Sequence, residues 1–367
     1  MNIQRYLLLI ATVCLLLFII ERLAPGGIQA QAWQPKPAPA LTGTWQGNDR
    51  LDDATAEQRG LDGPDTVIVG PDRMRYTGVG DGRILRWRDG EAPQTFVKLD
   101  GRPVGMNFGP DGTLYVADEV RAVIWAVSPA GSAKILVDRI GARRFRFIND
   151  VYIADDQRLY FTESTRRWGL AENRRALIEH GGDGGVFLRH PDGRVEQVLD
   201  GLEFANGVVL ASDESYLLVA ETGAYRITRL WLKGPRAGQR ETLLDNLPGF
   251  PGDLSVAPDG SYWGSFFSPR NNLLDRLAAK PYLRRLLARL PLSLLPQAKP
   301  YPFVFRFDGE GRVLETLQDS RESQRPSFSS VVQHGDELLM GTPGGVGAID
   351  ADTVWQLRLP AKSKQKR

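Results

Sequence analysis

The chain has 367 residues, 42% of them hydrophobic and 25% charged, and its 46 Lys+Arg against 44 Asp+Glu give a formal net charge of +2. That composition belongs to a globular chain with a sizeable core and excludes general disorder, while the near-neutral balance excludes a dedicated nucleic-acid surface. The single cysteine, Cys14, lies in an N-terminal apolar run, which excludes an intrachain disulfide and any cysteine-based metal site or nucleophile downstream.

Residues 1–24 read as a signal-anchor or a signal peptide. Tyr6 to Ile20 are apolar or nearly so, between Arg5 and Glu21-Arg22. The run is short for a bilayer span and long for a signal-peptide core. Two outcomes follow. An uncleaved membrane-anchor helix would hold the rest of the chain outside the cytoplasm, on the periplasmic, extracellular or lumenal side; cleavage near Ala30-Gln31-Ala32 would release a secreted protein. The anchor is the preferred reading. Residues 25–60 then form a Pro/Gly/Gln/Ala-rich linker and a ring-closing segment without repeat character.

From 61 to 360 one plan recurs. Its clearest copy is Phe145 to Glu163, where Val151-Tyr-Ile153 and Leu159-Tyr-Phe161 flank an Asp155-Asp156-Gln157 turn, a strand–turn–strand pattern. Asn149-Asp150 opens the first strand although both residue types are poor strand formers. Equivalent turns fall at Asp72, Asp111, Asp213, Asp259 and Gly335-Asp336. Repeats of this kind at roughly 40–50 residues are the signature of four-stranded propeller blades. Six copies predict an all-β, six-bladed β-propeller.

The innermost strand of each blade starts beside the central channel, so equivalent positions face one another. Seven residues before each turn these positions are Asp65, Val104, Asn149, Asn206, Gly252 (followed by Asp253) and Phe328 or Ser329. Four blades therefore offer a carboxylate or amide oxygen at one level, the donor set a hard cation such as Ca2+ requires. Asp65, Asn149, Asn206 and Asp253 are the candidate metal ligands.

Two long excursions leave the repeat. Ser164 to Gly185, in blade three, carries Arg166, Arg167, Trp168 and His180; such loops often set specificity. His180 is a candidate general base or substrate contact, beside the plainer reading of a loop histidine. Arg102, which opens blade two, is a candidate for orienting a carbonyl-bearing or anionic ligand, beside the plainer reading of a solvated turn residue. In blade five, 267–302 carries leucines at helical spacing interleaved with Arg and Lys, and Pro281 divides it into two short helices. These fit a membrane-surface element, a lid over the channel mouth, or an insertion packed on the edge. Residues 361–367 form a basic tail.

The pieces Gly63-Pro-Asp65, Gly101-Arg-Pro-Val-Gly105, Phe147-Ile-Asn-Asp150, Tyr160-Phe-Thr-Glu163, Phe204-Ala-Asn-Gly207, Val219-Ala-Glu-Thr222 and Asn246-Leu-Pro-Gly-Phe-Pro251 resemble, in order, the strictosidine synthase-like family. That family includes the adipocyte plasma membrane-associated proteins and is related to the gluconolactonase/senescence-marker and paraoxonase propellers. The resemblance implies a six-bladed propeller with a channel calcium and, in many members, hydrolysis of lactones, aryl esters or organophosphates. It places the family's blade-one acid on Asp65, where glutamate is usual, and its channel asparagines on Asn149 and Asn206. The blade-five motif, usually Pro-Asp-Asn or Pro-Asp-Gly, reads Pro251-Gly252-Asp253 here. The glutamate that plant synthases use in blade six is Ser329, which argues against their amine–aldehyde condensation.

The expected activity is thus calcium-dependent hydrolysis of a small lactone or ester. Water is the nucleophile and Asp253 the first choice of base, with Asp150 the second. The rival reading is a membrane-anchored binding or scaffold propeller whose ion is structural or absent. No Gly-x-Ser-x-Gly elbow, His-Glu-x-x-His helix or Gly-x-x-x-x-Gly-Lys loop offers another chemistry.

Overall fold

Runs such as Val208-Val-Leu210 and Tyr216-Leu-Leu-Val-Ala220 suit a pleated surface, and the aspartates between them do not. At Asp72, Asp111, Asp156, Asp213 and Asp259 the carboxylate instead accepts the backbone N–H two residues on, at 2.9–3.2 Å, and so fixes the turn. In the computed structural model, which describes residues 3–8, 11–13, 15, 27–320, 325–343 and 352–360, the resulting hairpins are the inner halves of six four-stranded antiparallel sheets. The architecture is a six-bladed β-propeller.

Blades one to five occupy 67–98, 103–137, 148–202, 205–244 and 249–318, their strands pairing in chain order outward from the channel. The sixth combines Ser330–His334, Glu337–Gly341 and Val354–Arg358 with an outermost strand, Thr55–Gln58, that precedes blade one. This strand ties the two ends of the ring by main-chain bonds. Leu51, fully buried beside Trp263, Leu317 and Phe328, anchors the approach to it.

Apolar faces of neighbouring blades supply the core. Between blades four and five, Leu218 and Ile227 meet Phe250, Tyr262, Phe266 and Phe305, with Phe266 and Phe305 stacked at 4.6 Å. Each such side chain contributes about 1.5–3 kcal/mol when fully buried.

Both excursions run between the second and third strands of their blades. The first carries helix α1 (Asn173–Glu179); the second carries α2 (Asn272–Leu277) and α3 (Pro281–Ala288). Asn271 caps α2 by accepting the N–H groups of Leu273 and Leu274, and Pro281 occupies the first turn of α3, where it sacrifices no hydrogen bond. Ile178 of α1 packs with Ala288 of α3, Leu295 and Ile28 to form one capping layer. At the N-terminus, residues 3–8 and 11–13 are helical. The remainder of the expected anchor, like the basic tail, lies outside the described residues, and among those described no helix is long and apolar enough to cross a membrane.

Glycine sets the distance between neighbouring blades. A Cβ on Gly207 would lie 2.4 Å from the Leu254 nitrogen and 2.6 Å from the Asp253 Cα, both backbone atoms of the next blade. Gly207→Ala is expected to cost about 1–3 kcal/mol through overpacking, measured by urea denaturation. An unchanged midpoint would show that the blades can part at no cost.

Candidate metal centre

In four blades the two inner strands slip register at the same place. Pro103 pairs with Asp118 but Met106 with Val116; Ile148 with Glu163 but Val151 with Phe161; Ala205 with Glu221 but Val208 with Val219; Pro251 with Phe266 but Leu254 with Gly264. Each slip is a one-residue bulge: Val104-Gly105, Asn149-Asp150, Asn206-Gly207 and Gly252-Asp253 each stand opposite a single residue. A bulge breaks the two-residue alternation of a strand and re-aims side chains.

The two bulge positions have separate destinations. Asn149, Asn206 and Gly252, at the first, line the central cavity. At the second position the residues pack against the next blade: a Cβ on Gly105 would fall 2.3 Å from Asp150 Oδ1, and Gly207 abuts Asp253. Asp150 Oδ1 and Oδ2 accept the N–H groups of Val151 and Val208, each at 2.8 Å. Asp253 also lines the cavity, and its Oδ2 accepts from Thr66 Oγ1 of blade one at 2.7 Å. A side chain at 252 would meet the Ser329 carbonyl oxygen at 2.7 Å and Ser265 Oγ at 2.9 Å. This crowding explains why blade five presents its acid from 253.

Asp65, Asn149, Asn206 and Asp253 thus meet in one cavity of about 190 Å³, with Ser329 and Glu119 beside them. Phe147, Phe204 and Phe250 wall it, and Leu177 of α1 and Leu274 of α2 cover it. Of the three uses open to the blade-five insertion, capping the cavity is one the structure realises. Phe204, just before the blade-four bulge, holds φ at 60°, a strain of order 1–3 kcal/mol for a bulky residue; its ring stands edge-on to Phe147 at 5.6 Å.

The Asn206 amide is arranged to offer oxygen. Asn206 Nδ2 donates to Thr222 Oγ1 at 3.0 Å, and that hydroxyl donates to the Pro251 carbonyl at 2.7 Å. The amide nitrogen is thereby engaged and Oδ1 is left as the acceptor. The Asn149 side chain has no hydrogen-bond partner among the described residues. Burial raises Asp65 above its ordinary range; it lifts Asp150 to about 7 and, with the charges of Asp150 and Asp65, holds Asp253 well above that range. Crowded buried carboxylates of this kind are a site that a cation would relieve. The donor chemistry fits a hard divalent ion: oxygen atoms alone, two carboxylates and two amides. A separate trio, Asp49, Asp52 and Asp319, has carboxylate oxygens within 4.8 Å of one another, but it lies by the ring-closing segment, with Arg325 at 3.5 Å from Asp319.

Three of the remaining candidates lie outside the cavity. Asp150 sits behind its bulge, with both oxygens occupied by backbone amides. Arg102 is neither solvated nor in the cavity: it is buried, its Nε is 2.6 Å from Glu119 Oε1, and its Nη2 donates to the Gly63 carbonyl. His180 is buried behind α1, stacked on Trp33 with ring centroids 3.9 Å apart, and faces a separate small cleft with Glu203.

Glu119 is the site residue that register counting missed. Burial pushes it up to about 8, with Arg102 opposing the rise. A second register finds it. Asp118, Glu163 and Glu221 end the second strands of blades two to four, and each accepts a backbone N–H shortly before the bulge, from Arg102, Arg146 and Glu203 at 2.8–3.0 Å. The residue after each latch is Glu119, Ser164 or Thr222. Blade two, whose bulge offers only Val104, brings an oxygen donor from here.

A family model described as the SMP-30/gluconolactonase/LRE-like region matches residues 66–270, and one described as strictosidine synthase-like, N-terminal, matches 43–87. The chain belongs to the SMP-30/gluconolactonase/LRE-like family. Among relatives, the adipocyte plasma membrane-associated protein of Danio rerio is 29% identical over 361 residues, covering 92% of this chain and 86% of that one. Strictosidine synthase-like protein 13 of Arabidopsis thaliana is 32% identical over 307 residues, covering 74% and 75%. A gluconolactonase from Xanthomonas campestris superposes with a TM-score of 0.61 at 19% identity, over 92% of this chain and 99% of its own. The calcium-binding protein regucalcin from Agrobacterium tumefaciens gives 0.57 at 13% identity, over 82% and 91%. At those identities the two solved structures share the fold.

His180 yields a pH prediction. Burial, then the charges of Arg284 and Arg226, lower it to about 3. Its folded value lies below the unfolded ~6.5, so its contribution is complete above that pH and is lost as pH falls toward 3. At pH 5 the loss is about 2 kcal/mol. Glu203, raised to about 7 mainly by burial, adds an opposite slope that a variant at 180 retains. His180→Asn, suited to the left-handed φ of 50° there, is expected to lose less stability than the native chain between pH 7.5 and 5.0 in urea melts. Equal losses would mean that the imidazole is protonated in the folded state.

Proposed function

We propose that the protein is a divalent-cation-dependent hydrolase of lactones or aryl esters, with Ca2+ as the ion. The observation that carries the reading is that Asp65, Asn149, Asn206 and Asp253, from four blades, all line one capped, aromatic-walled cavity. These four residues would hold the cation, which when bound supplies Lewis-acid polarisation of the substrate carbonyl and charge stabilisation for the oxyanion. The family name, and relatives described as a gluconolactonase and a calcium-binding protein, support the same chemistry.

The chain's own groups divide the remaining work. Asp253 is the base: Thr66 fixes its Oδ2, and the carboxylate lines the cavity where attacking water gives up its proton. Asp150 is a positioning residue that holds the bulges of blades three and four in register. Phe147, Phe204 and Phe250 receive the apolar part of the substrate and exclude bulk water. Relatives described as plasma membrane-associated support membrane association; the apolar run Tyr6 to Ile20 is the segment proposed to attach, with the propeller outside the cytoplasm.

The detergent-solubilised full chain is assayed on γ- and δ-lactones and phenyl acetate, with and without a chelator. Turnover is expected to vanish with chelation and return with calcium, and Asn149→Ala should lower kcat/KM by about 10²-fold. Turnover insensitive to the chelator would sink the metal-dependent reading. Calcium-dependent thermal stabilisation without turnover would establish the scaffold reading instead.

A further inference from the structure

We infer that the outer face of the α2–α3 cap docks on an anionic lipid surface, so that the lid of the cavity is also the membrane-contacting element of the propeller. Leu273, Tyr282, Leu283, Leu290 and Leu294 are each 40–65% exposed on this face. Leu273 stands next to Leu274, which lines the cavity, so α2 turns one leucine inward and its neighbour outward. Between 270 and 299 there are seven Arg or Lys residues against one acid, Asp275, which is engaged with Tyr225. Arg276 and Lys280 are exposed among the leucines. Apolar side chains rimmed by cations are what an interfacial helix presents to negatively charged headgroups.

The path of the chain names the occupant. Ile28 is buried against Ile178, Ala288 and Leu295. The Gln29 N–H donates to Glu179 Oε1 at 2.6 Å, Arg284 Nη1 donates to the Gln31 carbonyl at 2.7 Å, and the Trp33 N–H donates to the Ala278 carbonyl at 3.3 Å. Residues 28–33 are therefore stitched to α1, to the end of α2 and to α3. Only seven residues, 21–27, separate this strap from the apolar run that ends at Ile20. Fully extended, they reach about 25 Å. An apolar run held in a bilayer thus keeps the cap within about 25 Å of the lipid surface, and the exposed leucines are the apolar face the propeller turns toward it.

The test uses the full chain reconstituted in phosphatidylcholine/phosphatidylserine vesicles, with Cys14→Ser removing the native thiol. An environment-sensitive fluorophore is attached at Leu283→Cys, at Leu290→Cys, and at Ile135→Cys, an exposed control on an outer strand of blade two. Both cap labels are expected to shift to the blue, to lose iodide access, and to be quenched by spin-labelled lipid severalfold more than the control. Cap labels that iodide quenches as readily as the control would overturn the inference. So would labels shielded from iodide but untouched by lipid quenchers, because the face would then be covered by protein, either the N-terminal run or a second copy of the chain.

Discussion

The site depends on a local departure from β regularity repeated in four blades. A regular strand sends alternate side chains to opposite faces of its own sheet, and neither face looks down the channel. One extra residue in the innermost strand allows a residue at the first bulge position to face the axis and its successor to wedge against the next blade. The wedge positions run Gly105, Asp150, Gly207, Asp253, so that small and acidic residues interlock around this part of the ring. Two carboxylates are buried in this way, with their charge opposed only by the hydrogen bonds of backbone amides and Thr66. The arrangement is costly unless the cavity carries positive charge, which is why the bulges and the proposed cation belong to one argument.

The cap adds a second constraint. The blade-three and blade-five excursions supply three short helices, none long enough to be stable alone, which pack on one another over the cavity and are tied down by the strap that follows the N-terminal apolar run. Buried His180, stacked on Trp33, and Glu179, bonded to Gln29, Arg167 and Trp168, belong to this fastening. The polar residues of the long loop thus hold the lid in place, while the aromatic rings beneath it shape the ligand space.

Much of this was legible in the sequence because it is periodic. Turn aspartates at regular intervals marked the blades, and the pattern violation at Asn149-Asp150 marked a place of interest that the strand register shows to be a bulge, since polar residues at a strand start need a reason. Counting back from the turns located Asn206 and Asp253 for the same reason. The count did not reach Glu119, because it rides on the second strand of its blade, where a different register applies. Nor did it separate Asn149 from Asp150, whose opposite fates follow from bulge geometry and from the space left at Gly105. Arg102 and His180 attracted notice for their chemistry alone, and their burial against Glu119 and Trp33 arises from contacts distant in the chain that composition does not encode.

The most direct test of the convergent site is calorimetric titration of calcium into the chelator-treated full chain. One site per chain is expected, abolished by Asn149→Ala combined with Asn206→Ala and unaffected by Asp52→Asn in the peripheral acidic trio. Binding that survives the paired asparagine change, or that disappears with Asp52→Asn, would place the ion away from the channel and contradict the account.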